Sequence, residues 1–420
     1  MIEYQAPTDR AYLVGIQNPD EPGDAGALLS ELRALTETLG LETVGEETVR
    51  VRDISPRYYL GSGKAEQIAE RARDAEADVL IFDEDLSPSQ QRNWEKLTGA
   101  SVTDRQGIIL DIFAERANTR EARLQVDLAR MEYLLPRLTS AWSHLSRQRG
   151  GRRGTRGEGE TQLEVDRRIV QQRIAAIKRD LKGVQGQRAT SRRQRTELPI
   201  PNGSVVGYTN AGKSSLLRAL TGSEVLVANK LFATLDPATR RLELEGGQEV
   251  LLTDTVGFIR RLPHGLVQAF RSTLEETLLA TFLVHVIDAS DPSAIEHARI
   301  TGEVLDEIGS RDKPTIEVLN KVDAVDANEL ALVQLSFPDA VAVSAFDGTG
   351  LAELRERIRD VVTTAFAQID VQIPHSRSDL AALIHRTGRV LEERYVDGVV
   401  SIRAEVPERT RRIVEGYTSA

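Results

Sequence analysis

The stretch Ser-Val-Val-Gly-Tyr-Thr-Asn-Ala-Gly-Lys-Ser, residues 204–214, shows which kind of domain this 420-residue chain contains. Residues 207–214 fit the pattern G-x-x-x-x-G-K-[ST], directly between a short apolar strand and a helical run with inward-facing leucines. In that context, the backbone N–H groups of the loop and the N-terminus of the helix bind phosphate groups. The stretch therefore predicts a phosphate-binding loop in an α/β domain; a glycine-rich turn without a ligand is the alternative.

Nine consecutive residues of this loop and helix are expected to contact a nucleotide. They are Gly207, Tyr208, Thr209, Asn210, Ala211, Gly212, Lys213, Ser214 and Ser215. Lys213 is expected to reach the β- and γ-phosphates and to act in catalysis, because its ammonium group neutralises charge there. The hydroxyl group of Ser214 is the expected ligand of a magnesium ion.

A second motif, Asp254-Thr255-Val256-Gly257, ends a predicted strand. Asp254 is expected to hold the magnesium ion through water, and the amide of Gly257 is expected to act in catalysis at the γ-phosphate. In the loop between the two motifs, Thr234 is expected to close over the metal and to act in catalysis, with Phe232 beside the nucleotide. A threonine in a loop is more often a turn residue, so Thr234 takes its meaning from its position between the motifs.

A third motif, Asn320-Lys321-Val322-Asp323, follows an apolar strand and indicates which base is bound. A carboxylate such as that of Asp323 accepts hydrogen bonds from guanine N1 and N2, whereas adenine offers no such donors. A fourth motif supplies a backbone amide for guanine O6. The residues expected to contact the base are Asn320, Lys321, Asp323, Ser344, Ala345 and Phe346. The four motifs in this order predict an enzyme that binds GTP and GDP and hydrolyses GTP with magnesium.

Strand-like and helix-like runs alternate in the first hundred residues and again after Pro199–Pro201. Such alternation predicts α/β domains with mostly parallel sheets. In the P-loop domain we expect strands at 204–206, 249–253, 282–287, 315–319 and 340–343. The C-terminal part indicates a small α+β domain, with a helix near 379–385 and strands within 389–403. We predict an N-terminal α/β domain (1–117), a basic helical hairpin (118–198), a P-loop GTPase domain (199–365) and a small C-terminal domain (366–420).

The predicted hairpin follows from apolar residues that recur at steps of three and four. They do so within 124–145 and 170–184, as on the seam of a coiled coil. A glycine- and arginine-rich stretch, 150–159, lies between the two runs. We predict two antiparallel helices with a flexible basic tip, the first of them kinked at Pro136.

Charge is distributed unevenly along the chain. The formal net charge is -10, yet residues 147–195 carry fifteen Lys and Arg against five acids, leaving -20 for the rest. Arginines beside flexible glycines suit contacts with RNA phosphates. The expected RNA-binding residues are Arg147, Arg149, Arg152, Arg153, Arg156 and, in a glycine turn of the N-terminal domain, Lys64. A solvated, charged coiled coil is the alternative interpretation of such a run.

The composition excludes several classes of protein. There is no cysteine, so disulfides and cysteine-based metal sites are ruled out. Residues 1–20 show no signal-peptide pattern, and no apolar run approaches the roughly 18 residues of a membrane span. We therefore expect a cytoplasmic protein without membrane insertion. We also expect it to be a monomer.

Beyond these motifs, the chain resembles the HflX family of ribosome-associated GTPases, within the Era-like and Obg-like group. The resemblance is carried by Leu-Gly-Ser-Gly-Lys at 60–64, Leu-Gln-Val-Asp-Leu-Ala at 124–129 and Tyr-Leu-Leu-Pro-Arg-Leu at 133–138. Most specific is Arg-Gly-Glu-Gly-Glu-Thr-Gln-Leu-Glu-Val-Asp-Arg-Arg at 156–168. The match covers the chain nearly from end to end, although Arg152 and Arg153 make the tip more basic than is usual in the family.

The resemblance implies GTP-dependent binding to the large ribosomal subunit and its rRNA, with splitting or rescue of stalled ribosomes under stress. Phe258 stands where Ras-like enzymes have a water-orienting glutamine, so slow intrinsic hydrolysis is expected. Asn210 stands where similar GTPases place a potassium ligand; an asparagine suited to a left-handed turn is the other interpretation. Two further functions stay open: an RNA-remodelling protein acting on rRNA through its N-terminal domain, and a signalling switch that binds no RNA.

Overall fold

The structure, a computed structural model, describes residues 9–17, 25–138, 162–196, 200–222, 231–232, 234–235, 237–245, 247–260, 276–363, 366–396 and 398–417. The chain divides into two compact units, and within the described residues the first ends at Gln185 and the second begins at Gly186. None of the helices in those ranges is long and apolar enough to cross a membrane.

The first unit contains a four-stranded parallel sheet with the strand order β2-β1-β3-β4. Its elements are β1 (Arg10–Gln17), α1 (Ala25–Thr38), β2 (Glu42–Arg50), α2 (Ser62–Asp74), β3 (Val79–Phe82), α3 (Pro88–Thr98), β4 (Ser101–Asp104) and α4 (Arg105–Arg116). β1 is buried along most of its length, as expected for a central strand covered on both faces. The predicted N-terminal α/β fold is confirmed.

Local sequence signals fix α3 and bring its tryptophan into the core. Ser87 and Gln90 form a capping box at its N-terminus, and Gly99 ends it in the left-handed conformation. Trp94 is fully buried, with its indole N–H 2.9 Å from the carbonyl oxygen of Tyr58. The apolar ring of Trp94 is therefore buried, and its N–H has a hydrogen-bond partner, as a buried indole requires.

Two helices, α5 (Arg120–Leu134) and α6 (Gln162–Thr196), carry the predicted seams. On α6, Ile177 and Leu181 are buried, as the periodicity predicts. On α5 the buried residues include Val126 and Ala129 instead of the predicted leucines, because α5 packs against α4. The seam leucines of α5 are half-buried.

Pro136 ends the first of these helices. A short 3-10 turn, Leu135–Arg137, replaces the predicted kink, since proline lacks the N–H that would continue the helix. Lys178 of α6 pairs with Glu132 of α5 at 2.8 Å. The tip at 150–159 lies outside the described residues, so the antiparallel hairpin is still a prediction.

The second unit contains a six-stranded sheet with the order β10-β9-β8-β5-β7-β6. Its elements are β5 (Asn202–Gly207), α7 (Lys213–Thr221), β6 (Ala238–Glu243), β7 (Glu249–Asp254), β8 (Phe282–Asp288), α8 (Ala294–Glu307), β9 (Thr315–Asn320), α9 (Ala327–Ser336), β10 (Val341–Ala342) and α10 (Leu351–Thr363). Each predicted strand of this domain is present. Only β6 was not predicted; it is the antiparallel edge strand, and its polar sequence gives no apolar run.

The strand order reverses at β5, which pairs in parallel with β7 on one side and β8 on the other. In open α/β sheets, ligands bind outside the carboxyl ends of the strands at such a reversal. The phosphate-loop motif begins at Gly207, the last residue of β5. Its place in the topology is therefore that of a ligand site.

The second unit also contains a three-stranded antiparallel sheet with the order β11-β13-β12. Its elements are β11 (Phe366–Pro374), α11 (Ser378–Thr387), β12 (Arg389–Val396), β13 (Val399–Pro407) and α12 (Glu408–Val414). The predicted C-terminal helix corresponds to α11, and the predicted strand region comprises β12 and β13. β11 was not predicted. Ile373, Ile384 and Ile402 are fully buried in the core of this α+β structure.

Candidate functional site

The backbone of the phosphate loop, between β5 and α7, accounts for both of its glycines. Gly207 and Gly212 have φ of 147° and 91°, which L side chains rarely adopt. A Cβ atom on Gly207 would lie 2.2 Å from the carbonyl oxygen of Val286, and one on Gly212 would lie 2.2 Å from Asn320 Nδ2. Asn210 also has a positive φ, 62°, in the left-handed region where asparagine is enriched.

Lys213 begins α7 and is buried against the loop that precedes it. Its Nζ donates to the carbonyl oxygens of Gly207, at 3.1 Å, and Tyr208, at 2.7 Å. Burial lowers the pKa of Lys213 to about 8, while the carboxylate of Asp254 opposes the shift. The loop itself therefore fixes the place of the ammonium group.

Three oxygen-bearing side chains from separate parts of the sequence meet in this region. The Ser214 hydroxyl donates to Asp254 Oδ2 at 2.5 Å, and Ser214 Oγ lies 2.7 Å from Thr234 Oγ1. Asp254 is fully buried, and its Oδ1 has no hydrogen-bond partner among the described residues. Burial raises the pKa of Asp254, whereas Lys213 and both hydroxyl groups act in the opposite direction. A buried carboxylate oxygen beside two hydroxyl groups fits a magnesium ion, which prefers hard oxygen ligands.

The residues after Asp254 fold back onto the phosphate loop. The Phe258 N–H donates to the Gly207 carbonyl oxygen at 3.1 Å, and the Thr209 N–H donates to the Phe258 carbonyl oxygen at 2.7 Å. A Cβ on Gly257 would lie 2.7 Å from Thr209 Cα and 3.0 Å from Lys213 Nζ. Glycine is therefore required where this segment meets the loop. The ring of Phe258 is fully buried.

Phe232 lies in the loop that leads to Thr234. Its backbone has a φ of 54°, and its N–H donates to Thr209 Oγ1 at 3.3 Å. Its ring is buried. The hydroxyl of Thr209 thus joins the phosphate loop to the threonine loop. Ser215, the remaining predicted residue of this part of the site, is half-buried in the first turn of α7.

Asn320 joins the phosphate loop to the base-reading loop. Its Nδ2 donates to the Ala211 carbonyl oxygen at 2.8 Å, and its Oδ1 accepts from the Ala345 N–H at 3.2 Å. Asn320 is almost fully buried. The motif that indicates guanine therefore has a structural role as well, because Asn320 holds two loops in register.

The remaining residues of the base end lie around Asn320. Lys321 has a φ of 64°, and its Nζ lies 2.6 Å from Asp288 Oδ2. Asp323 is exposed on a short 3-10 turn, and Phe346 is 91% exposed. Ser344 is buried, and its Oγ accepts hydrogen bonds from the backbone N–H groups of Phe346 and Asp347, at 3.2 Å each. The carboxylate of Asp323 is therefore open to a ligand that approaches from solvent.

Asp288 was missed by the sequence reasoning. A signal was present, because an acid that ends a buried strand at the carboxyl edge of a sheet commonly lies beside the ligand site. Asp288 ends β8, and its neighbour in the sheet is Asn320. Its pairing with Lys321 holds the ammonium group of that lysine beside the carboxyl end of β8.

The predicted RNA-binding residues have a different outcome. The five arginines, Arg147, Arg149, Arg152, Arg153 and Arg156, lie outside the described residues. Lys64 lies in the first turn of α2, and its Nζ is 3.1 Å from Glu47 Oε2. Glu47 also pairs with Arg71 at 2.6 Å. An RNA phosphate at Lys64 would compete with Glu47 for its ammonium group.

The phosphate loop follows β5, the buried acid Asp254 ends β7, and the base-reading motif begins at Asn320, the last residue of β9. All three strands belong to one sheet, in which β8 lies between β5 and β9. That combination defines the class of P-loop GTPases. Comparisons with known protein families agree. Residues 27–114 match the family described as GTP-binding GTPase N-terminal, and residues 116–195 match GTP-binding GTPase Middle Region. Residues 202–321 match the family described as 50S ribosome-binding GTPase.

Whole-chain comparisons with curated relatives identify the family. GTPase HflX of Akkermansia muciniphila is 48% identical over 412 residues, covering 95% of this chain and 94% of the relative. GTPase HflX of Escherichia coli K12 is 42% identical over 383 residues, covering 90% of this chain and 89% of the relative. A solved structure of a GTP-binding protein from Sulfolobus solfataricus in complex with GDP is 27% identical, with a TM-score of 0.44, and covers 85% of this chain and 99% of that one. The chain belongs to the HflX family of GTPases, and it is a GTP-hydrolysing enzyme.

Proposed function

We propose that this GTPase acts in the cytoplasm as a monomer, binds the large ribosomal subunit with GTP bound, and splits or rescues stalled ribosomes under stress. Hydrolysis then permits its release. Residues 202–321 match a family described as 50S ribosome-binding GTPase, which supports the large ribosomal subunit as the partner. The basic stretch at 147–195, on an otherwise acidic chain, supplies the charge that rRNA phosphates require.

Within this proposal, the nucleotide is held at both ends of the site. The loop amides and Lys213 bind the β- and γ-phosphates, and Gly257 donates its amide N–H to the γ-phosphate. Asp323 accepts hydrogen bonds from guanine, while Ala345 lies beside O6. Because Asn320 ties both ends together, phosphate and base recognition form one unit.

Magnesium fits the donor set of this chain. Ser214 and Thr234 would hold the ion through their hydroxyl groups, and Asp254 would hold it through water. The buried Oδ1 atom of Asp254 supports this assignment, because a lone carboxylate oxygen away from water is costly without a partner. When bound, the ion neutralises charge on the β- and γ-phosphate oxygens.

One observation carries the dependence on a partner. Phe258 occupies the place of a water-orienting side chain, and its ring is fully buried with its backbone paired to the phosphate loop. A phenyl ring neither donates nor accepts the hydrogen bonds that orient an attacking water molecule. Fast hydrolysis therefore requires a group from outside the chain, or a rearrangement that a partner stabilises.

The test is GTP hydrolysis by the purified protein in potassium and magnesium buffer, alone and with large ribosomal subunits. We expect slow turnover alone and a stimulation of at least about tenfold with subunits. Lys213→Ala, which removes the phosphate-binding ammonium, serves as the inactive control. An unchanged slow rate with subunits, while GDP still binds, would contradict the proposal.

The RNA-remodelling alternative predicts a different result from the same variant. ATP hydrolysis that survives Lys213→Ala would locate a second activity in the N-terminal domain and favour that function. The signalling alternative predicts that neutralising Arg152, Arg153 and Arg156 leaves partner binding intact and independent of salt. Ribosome binding predicts the opposite, since each neutralised phosphate releases counterions.

A further inference from the structure

The second residue of the phosphate loop uses its side chain as well as its backbone. The Tyr208 hydroxyl accepts a hydrogen bond from the Arg260 backbone N–H at 2.9 Å. The Tyr208 ring also stacks on the ring of His297, with 3.7 Å between centroids and 6° between planes. Tyr208 is only 6% exposed, so these contacts hold it in one position. Its ring therefore lies between the segment that follows Gly257 and helix α8.

A second contact joins the same two elements. The Arg260 guanidinium pairs with Glu296 of α8 at 2.9 Å, and Glu296 is also held by Arg299 at 2.7 Å. The backbone of Arg260 is thus bound to the phosphate loop and its side chain is bound to α8. Arg260 is therefore held through both its backbone and its side chain.

These contacts bear on the residue proposed to meet the γ-phosphate. The segment 254–260 is fixed at its start by the strand pairing of β7, and at its centre by the two backbone hydrogen bonds of Phe258. The Tyr208 hydroxyl fixes its end. A segment anchored at its start, centre and end holds Gly257 against Thr209 and Lys213, whereas a segment free at Arg260 has more ways to move away.

We infer that Tyr208 is a positioning residue for GTP hydrolysis: stacked on His297, it holds Arg260 through its hydroxyl and so keeps the Gly257 amide in place for the γ-phosphate. This inference rests on the proposed role of Gly257, but not on ribosome binding. GDP has no γ-phosphate and does not need Gly257. The clamp therefore affects hydrolysis and leaves GDP affinity alone.

Tyr208→Phe is the sharpest test, because it removes the hydroxyl group and keeps the ring. We expect kcat for GTP hydrolysis, measured without ribosomal subunits, to fall about fivefold, the factor that one hydrogen bond typically contributes. The Kd for GDP should stay within about twofold of the parent value. Tyr395→Phe is the matched control, because it removes a phenolic hydrogen bond to Glu393 in the C-terminal sheet and should leave hydrolysis unchanged.

A double-mutant cycle tests whether the stack and the hydroxyl act together. His297→Ala should also lower kcat, and the variant with both changes should lose no more than about as much as the larger single effect. If Tyr208→Phe does not fold, the test is carried by His297→Ala alone, which removes the stack that holds the Tyr208 ring. A parent-like or faster rate in Tyr208→Phe would overturn the inference, as would equal weakening of GDP and GTP binding, which signals general damage to the loop. A parent protein that ribosomal subunits do not stimulate would count against the proposed function instead, and it would leave this comparison of basal rates unaffected.

Discussion

The contact most open to a quantitative test is the bridge that Asn320 makes between the phosphate loop and the base-reading loop. Asn320→Ala removes both of its hydrogen bonds, to the Ala211 carbonyl and from the Ala345 amide. Each bond contributes about 1 kcal/mol, and a buried carbonyl left without a partner costs about 1–3 kcal/mol. Ala211 is 1% exposed, so its carbonyl gains little from water. Allowing for overlap between these contributions, the change costs about 2–4 kcal/mol.

Much of this cost should appear in nucleotide affinity. The parent protein holds both loops in register before binding, whereas the variant must order them when the nucleotide binds. A cost of about 2 kcal/mol corresponds to a roughly 30-fold rise in the Kd for GDP. Titration with a fluorescent GDP analogue measures that Kd, and urea unfolding measures the accompanying loss of stability.

The control separates this bridge from the loss of any asparagine hydrogen bond. Asn93→Ala removes one bond of 2.8 Å, to the carbonyl oxygen of Arg57, on the exposed side of α3. It should leave the Kd for GDP unchanged. A rise of less than about threefold in the Kd of a folded Asn320→Ala variant would refute the reasoning, because the two loops would then keep their register without the bridge.

Three further predictions follow from charge and backbone geometry. The pKa of Lys213 is lowered from 10.5 to about 8, so between those pH values the nucleotide-free folded protein binds fewer protons than the unfolded chain. The free energy of unfolding should therefore rise from pH 8 to pH 10.5, which pH-dependent unfolding measures. The affinity for GDP should fall above pH 8, because the ammonium group of Lys213 is lost. Burial lowers the pKa of His285 from 6.5 to about 4, so acidification protonates this histidine in the unfolded chain before it does so in the folded protein. The free energy of unfolding should therefore fall as the pH drops from 6.5 towards 4, and His285→Gln should reduce that fall. If Asn210 is a potassium ligand, hydrolysis should be faster in potassium than in sodium, with Asn210→Gly losing the difference; equal rates would leave the left-handed turn, φ 62°, as the full account of this residue.

The nucleotide motifs were readable in the sequence because each combines a strand end with a residue type that its chemistry requires. Gly207 and Gly212 need their positive φ, and Asp254 ends a buried strand, so pattern and position coincide. The apolar strands of the parallel sheets were predictable for the same reason. Burial on both faces leaves an uninterrupted apolar run.

What the sequence did not show depends on contacts between distant residues. The polar edge strand β6 is recognised only by its pairing with β7. The clamp at Tyr208 joins residues that are 52 and 89 positions apart, and neither Arg260 nor His297 belongs to a motif. The buried face of α5 differs from the predicted one, because periodicity gives the width of an apolar stripe but does not show which neighbouring element covers it.

The β6–β7 hairpin also provides a position for a fluorescent label that reports on the catalytic cycle. Ala238, the first residue of β6, lies four residues after Thr234 and directly opposite Asp254, so Asp254 is at this end of the hairpin. At the far end of this hairpin, Glu245 is exposed, and the chain contains no cysteine. Glu245→Cys therefore creates a unique attachment point for a dye at the opposite end of the hairpin from Asp254, one of the proposed magnesium ligands. A difference in dye fluorescence between the GTP and GDP states would report a movement of this hairpin, and stopped-flow mixing with GTP would follow it in a single turnover.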